Sequence, residues 1–317
     1  PRTTARIAIT GVTANNLSAL NAFMATMPTN LRQTAAQIQA IVNAFNKLQA
    51  AANAAADQSA SLTAADYAAL GLTNVSSNSA VSLLNSVIDP LAFTAVDTQP
   101  ELAAIGMAVA GINSVANGQT ANPALTTASF ALLGITGVDQ ANLAAVLAAI
   151  TAEGATPTTL ADLQTIVDRA AMVSVISAYN GFNTAPTPAS FAAIGVTGVN
   201  ALSSSQLASL NSLLAGMPST ARDSVAEIQA IVDAFTKLVA AADQQANSSA
   251  TLTAADYAAL GAGNINSTPK VTLLNNIVDA LNLTQVNTQA QLQTLANAAS
   301  GIIVTRSEER RVGKECL

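Results

Sequence analysis

A Thr-x-x-Asp/Ser-Tyr/Phe-Ala motif that closes in Gly recurs four times, opening at Thr63, Thr126, Thr187 and Thr253 and closing at Gly71, Gly134, Gly195 and Gly261. Its spacings of 63, 61 and 66 residues constrain the fold more than the chain's 317 residues do. Self-similarity at such a period marks an array of small units that bury their apolar faces locally or against neighbours. Physically the motif reads as a two-turn helix. Threonine caps the free backbone N–H groups, the residue three positions on returns the bond, and glycine adopts the left-handed conformation that ends the helix. Pro188, directly after Thr187, occupies the favoured first helical position.

A short turn follows each glycine, as in Thr73-Asn74-Val75, Thr136-Gly137-Val138 and Thr197-Gly198-Val199; Thr10-Gly11-Val12 begins the first copy. The turn leads into a second helix whose apolar residues fall at i, i+3 and i+7. They are Leu17, Leu20 and Met24 in the first copy, with counterparts ending at Ile88, Ile150, Leu214 and Val278. That spacing is one buried helical face. A second signature, Ser/Thr-x-x-Glu/Gln/Asp, opens a third helix at Thr34, Thr98, Thr159, Ser224 and Thr288, spaced by 64, 61, 65 and 64 residues. One such capping box is weak evidence for a helix start; five in register are not. The apolar stripe behind it is clearest at Ile38, Ile41, Val42, Phe45 and Leu48 and again at Ile228, Ile231, Val232, Phe235 and Leu238.

Polar Asn/Gln/Ser-rich stretches at residues 55–61, 117–123, 180–186 and 244–249 divide these units. The predicted fold is all-α, an elongated tandem array of about five three-helix modules. A partial module covers residues 1–58, and full ones cover 62–120, 125–184, 186–249 and 252–304. A higher-order repeat lies above them: residues 62–70 are identical to 252–260, and 38–48 closely match 228–238, both at an offset of 190. Modules this small are expected to be marginal alone, so neighbour contacts and stacking are anticipated.

Composition narrows the function. Aromatic residues make up 3% and charged residues 9%, the net charge is −6, and basic residues are scattered. No phosphate-tracking stripe or polybasic membrane patch results, so nucleic acid is not an expected partner. The longest apolar runs are far shorter than the roughly 18 residues that span a bilayer, so no transmembrane segment is expected. The chain has no His and no Trp, and its one Cys is Cys316. The usual nucleophiles, general bases and transition-metal ligands are therefore missing, and no catalytic, cofactor-binding or metal-binding residue is assigned. The chain is read as non-enzymatic.

Several residues invite a functional reading and have a plainer one. Asp66 and Asp256 are first-turn capping residues, replaced by Ser129 and Ser190 in sister copies. Asp89, Asp97, Asp279 and Glu101 lack the loop that gathers calcium ligands. Tyr67, Phe130, Phe191 and Tyr257 share one repeat position and could form a ligand-facing ladder, but an apolar short helix favours core packing. Asn21, Asn85, Asn211 and Asn275 recur within the second helix, where Asn is a mediocre helix former, while Leu147 takes the place in the third module. An exposed or inter-module hydrogen-bonding role and simple shared ancestry both fit them. Sequons such as those at Asn16 and Asn247 are expected by chance.

From Arg306 onward seven of twelve residues are charged, against 23 in the preceding 305. The repeat stops at the same point, and the string resembles a translated sequencing adapter. Residues 305–317 are accordingly read as an artefactual tail, the alternative being a solvated, disordered one. The opening at Pro1, without Met or leader, is read as that of a fragment or processed product.

The Leu-Thr-Ala-Ala-Asp-Tyr-Ala-Ala-Leu-Gly stretch at residues 62–71, the Thr-Gly-Val turns and the segment from Glu227 to Ala234 resemble helical repeats of very large bacterial surface adhesins. The resemblance covers about residues 5–304. More loosely, the module resembles the three-helix GA-like modules of bacterial cell-wall proteins, but the near absence of Lys and of a matching face means albumin binding is not implied. The resemblance implies an exported stalk or adhesive region without catalytic residues, at the cell surface or outside it, that contacts a protein or surface ligand. An intracellular or phage scaffold array and an ice- or surface-binding Ala/Thr-rich protein are the competing readings.

Overall fold

The structure, a computed structural model, describes the backbone of residues 9–245 and 250–315, with side chains through Ile303 and at Thr305. Residues 1–8 of the first predicted module, residues 246–249 of a predicted boundary loop, and Cys316 lie outside the described residues. The chain is all-α. Among the described residues β-pairing is confined to two isolated bridges, Asn53 with Ala92 and Asp243 with Asn282. None of the described helices is long and apolar enough to cross a membrane.

Two compact units divide inside one helix, after Ala171. The first contains α1 (Leu17–Thr26), α2 (Ala35–Ala51), α3 (Ala64–Ala69), α4 (Asn78–Ile88), α5 (Gln99–Ala116), α6 (Thr127–Leu132), α7 (Leu143–Ala152) and the start of α8 (Leu160–Ser177). The second holds the end of α8, then α9 (Pro188–Ala193), α10 (Ser204–Gly216), α11 (Val225–Ala241), α12 (Ala254–Ala259), α13 (Thr268–Asp279) and α14 (Gln289–Glu315). Short 3₁₀ turns, such as Thr29–Leu31 and Ser219–Ala221, precede several of the long helices.

Local chemistry sets the boundaries. At α3 the Thr63 hydroxyl accepts from the Asp66 N–H at 3.2 Å, and Asp66 Oδ2 accepts from the Thr63 N–H at 2.8 Å. The same reciprocal caps open α6, α9 and α12. Gly71, Gly134, Gly195 and Gly261 all have φ between 78° and 94°, where a side chain would be strained. Long helices open as their capping boxes predict. At α8 the Thr159 N–H donates to Asp162 Oδ2 and the Asp162 N–H to Thr159 Oγ1, both at 3.1 Å.

Burial follows the predicted stripes except at Leu17, which is 45% exposed, and elsewhere is wider. Leu84, Ile88, Val146, Ile150, Leu210 and Leu214 are fully buried, and so are Phe23, Leu83 and Leu213, which the i, i+3, i+7 pattern did not include. The aromatic position is core: Tyr67, Phe130, Phe191 and Tyr257 have no exposed surface. Each unit has its own apolar cluster. The composition break at Arg306 does not end α14, whose backbone stays helical to Glu315. Disorder was the alternative expectation for this segment. Arg, Glu and Lys are good helix formers, and a run of them adjoining an established helix prolongs it.

Candidate functional site

Polar side chains in this chain serve its backbone. Helix ends and turns leave N–H and C=O groups that must find partners, and the recurring Gln, Asn, Ser, Thr, Asp and Arg residues supply them.

At the glycine turns, an amide from the third helix grips the backbone like a second strand. Gln164 Oε1 accepts from the Thr136 N–H at 3.0 Å while its Nε2 donates to the Thr136 carbonyl at 3.1 Å. Gln39 does the same to Thr10, and Gln229 to Thr197. Each Gln is held from one turn below by Asn43, Asp168 or Asp233. Gln293 accepts from the Gly263 N–H at 2.8 Å in the same way.

Three of the recurring Asn residues, Asn85, Asn211 and Asn275, bond within a repeat, not between repeats as one reading of the sequence had it. Asn85 Oδ1 accepts from the Tyr67 hydroxyl at 2.6 Å, and its Nδ2 donates to the Leu62 carbonyl at 2.9 Å. Tyr257, Asn275 and Leu252 repeat the arrangement at 2.7 and 3.0 Å. Where the aromatic residue is Phe191, Asn211 keeps the backbone bond to Pro186, but its buried Oδ1 has no partner. Where it is Phe130, the Asn position is Leu147. Asn21 is exposed. Burial raises the Tyr67 and Tyr257 phenols well above their ordinary pKa, the neighbouring Asp66 and Asp256 adding to it, so both hydroxyls remain donors.

Successive repeats are joined at helix ends. The Thr26 hydroxyl, at the end of α1, donates to the Phe23 carbonyl and accepts from the N–H of Gln99, the first residue of α5. Ser86 in α4 donates to the Leu83 carbonyl and accepts from the N–H of Leu160, the first residue of α8. In the second unit Asn287, just ahead of α14, donates to Ser209 of α10. Ion pairs add a second link, Lys47 to Asp66 at 2.8 Å and Lys237 to Asp256 at 2.7 Å. Burial disfavours the Asp66 carboxylate, but Lys47 and the Thr63 backbone outweigh it and hold its pKa below the ordinary value; Asp256 behaves alike with Lys237 and Thr253. The two lysines occur only where the facing position is Asp. Gly111 and Met172 occupy their place where it is Ser129 and Ser190, a pairing visible in the sequence once the copies are aligned.

Of the carboxylates weighed as cation ligands, Asp89 and Glu101 serve the backbone. Asp89, 4% exposed, accepts from the backbone N–H groups of Gln58 and Ala60 and fastens the loop ahead of α3. Glu101 belongs to the capping box of α5. Asp279 is buried at the sister position of Asp89. Among the described residues, no three His, Cys, Asp or Glu side chains converge as metal ligands.

Surface hollows are shallow. One of about 220 Å³ between α5 and α6 is lined by apolar Met107, Pro123, Leu125 and Leu132. Another, of about 320 Å³, contains Glu153 and Arg169, which neutralise each other at 2.6 Å.

The second unit also holds a buried arginine. Arg222, 3% exposed, donates through Nη1 to the Ile176 carbonyl and through Nη2 to the Tyr179 and Met217 carbonyls, at 3.2, 2.6 and 3.2 Å. It thereby caps the end of α8 and the end of α10 together. Burial pulls its pKa below the ordinary value, and the carbonyl dipoles offset the loss of water.

No known protein family, curated protein or solved structure matches the chain.

Proposed function

We propose that the chain is a non-enzymatic structural and adhesive repeat segment of a secreted or cell-surface bacterial protein, a stalk that extends a binding head or itself contacts a partner surface. One observation carries this reading: the recurring hydroxyls, amides and carboxylates close helix ends and tie each repeat to the next, as at Thr26–Gln99 and Ser86–Leu160. Repeats tied to one another in this way suit spacing and mechanical continuity. The modules are about five, at a period near 63 residues, with the boundaries drawn from the sequence. The threonines that would form a flat ice-binding array instead cap helices.

The reading is tested by recovering the uninterrupted reading frame with long-read sequencing and labelling intact cells of the source with antibodies raised against the array. Continuation through further repeats to an export signal, with labelling of unpermeabilised cells, is the expected result. Labelling only after permeabilisation, or a frame that joins the array to a cytoplasmic domain, overturns it in favour of an internal spacer.

A further inference from the structure

Arg32 stands 190 residues before Arg222, at the offset that relates the two halves of the sequence. Both follow a 3₁₀ turn and have nearly the same backbone, with φ −133° and ψ 35° at Arg32 and φ −154° and ψ 34° at Arg222. Their surroundings differ. Arg222 is buried against the end of α8, the long helix of the preceding sequence repeat, and the Ser177 hydroxyl of that helix donates to the Ser219 carbonyl of the 3₁₀ turn at 2.9 Å. Arg32 is only half-buried. Among the described residues, no group accepts a hydrogen bond from its guanidinium, whereas three carbonyls accept from Arg222; the Nε of each arginine is buried without a partner. The face beside it is open as well. Ala25, at the end of α1, is exposed, whereas its sister Ala215 is half-buried beside Gly181, just past α8.

We infer that Arg32 and the end of α1 beside it form a docking seat for the carboxyl-terminal turn of a further repeat helix of the α8 kind, whose free carbonyls the guanidinium caps. The occupant follows from the chain itself, because at the sister arginine the carbonyls at the end of α8 accept the guanidinium's bonds. An arginine fork suits a helix end, whose last carbonyls carry partial negative charge and lack partners. The other copies cannot make such a seat: Val96, Pro157 and Val286 occupy the arginine's place. An arginine-sealed junction would therefore recur once in every three repeats. The inference rests on the repeat reading but not on where the array is displayed.

A concatenated chain tests it. Residues 1–187 are placed directly ahead of Pro1, so that Thr187 meets Pro1 as it normally meets Pro188, and the added copy has Val175→Ile at a position 51% exposed so that its peptides differ in mass. Hydrogen exchange is followed across residues 172–182 of both copies. In the original chain, Arg222→Met is expected to speed exchange there by about fivefold or more, the effect of losing a net hydrogen bond, while Arg32→Met is silent. In the concatenated chain, Arg32→Met should speed exchange in the added copy to the same degree. Silence of Arg32→Met in that chain, or of Arg222→Met in the original, overturns the inference. Should either Met variant fail to fold, Arg222→Lys and Arg32→Lys, which lose the fork but keep the charge, provide the same comparison.

Discussion

The hydroxyl of Ser86 sits between two helices, accepting a hydrogen bond from the Leu160 N–H at 2.7 Å while donating to the Leu83 carbonyl at 3.1 Å. The first N–H of α8, which no residue of its own helix can satisfy, is thus supplied by the second helix of the preceding sequence repeat. Thr26 does the same for Gln99. Serine inside a helix is ordinarily a mild liability, since its hydroxyl competes for backbone groups; here that competition links two repeats.

Ser86→Ala therefore lowers the stability of the first unit by about 1 kcal/mol, although alanine is the better helix former. Ser82→Ala, at an exposed position of the same helix, changes it by less than about 0.5 kcal/mol or raises it slightly. Urea denaturation of the two variants beside the parent distinguishes them.

The Tyr–Asn pairs give a matched gain and loss. Tyr67→Phe removes the donor to Asn85 Oδ1 and costs about 1 kcal/mol, creating the situation already present at Phe191 and Asn211. Phe191→Tyr supplies a hydroxyl to the orphaned Asn211 oxygen and is expected to stabilise the second unit by up to about 1 kcal/mol. Thermal unfolding midpoints that move in opposite directions confirm the pairing, and a fall in both variants refutes it.

Much of this was legible in the sequence, and the remainder has a common cause. Thr63, Thr159 and Gly71 act through neighbours three or four residues away, so their caps and stops are written in local spacing. Gln164, Arg222 and Ser86 act over 28, 46 and 74 residues, and nothing local distinguishes them from ordinary surface residues. Asn85 lies between these cases. Its recurrence was plain, but its partner was evident only from the exchange of Tyr67 for Phe130 alongside that of Asn85 for Leu147. The lysine–aspartate links left a similar trace.

Alkaline pH should unfold the first unit through Tyr67, its only tyrosine. The phenol's pKa is raised in the folded state, so the unfolded chain releases its proton first, from about pH 10. Stability is then full below about pH 10 and falls as pH rises beyond it. Tyrosinate absorbance should appear together with loss of helix, and Tyr67→Phe should flatten the pH dependence of the first unit above pH 10.

Gln164→Ala removes both bonds to the Thr136 peptide and costs about 1 kcal/mol. Gln164→Glu keeps the acceptor, loses the donor, and places a charge beside Asp168, so it should do no better than alanine near neutral pH. Lowering the pH until the new carboxyl is protonated should recover part of the loss, which a pH series of denaturation midpoints measures.

Coupling between adjoining repeats is tested most directly by native-state hydrogen exchange across the first unit of the full chain, parent against Ser86→Ala. If the bond from Leu160 to Ser86 joins two repeats into one cooperative body, α4, α5, α7 and the first turns of α8 open together in the parent, and all lose protection by a similar factor in the variant. If α7 and α8 keep the parent's protection while only α4 and α5 loosen, the repeats fold independently and the account of a secured array is wrong.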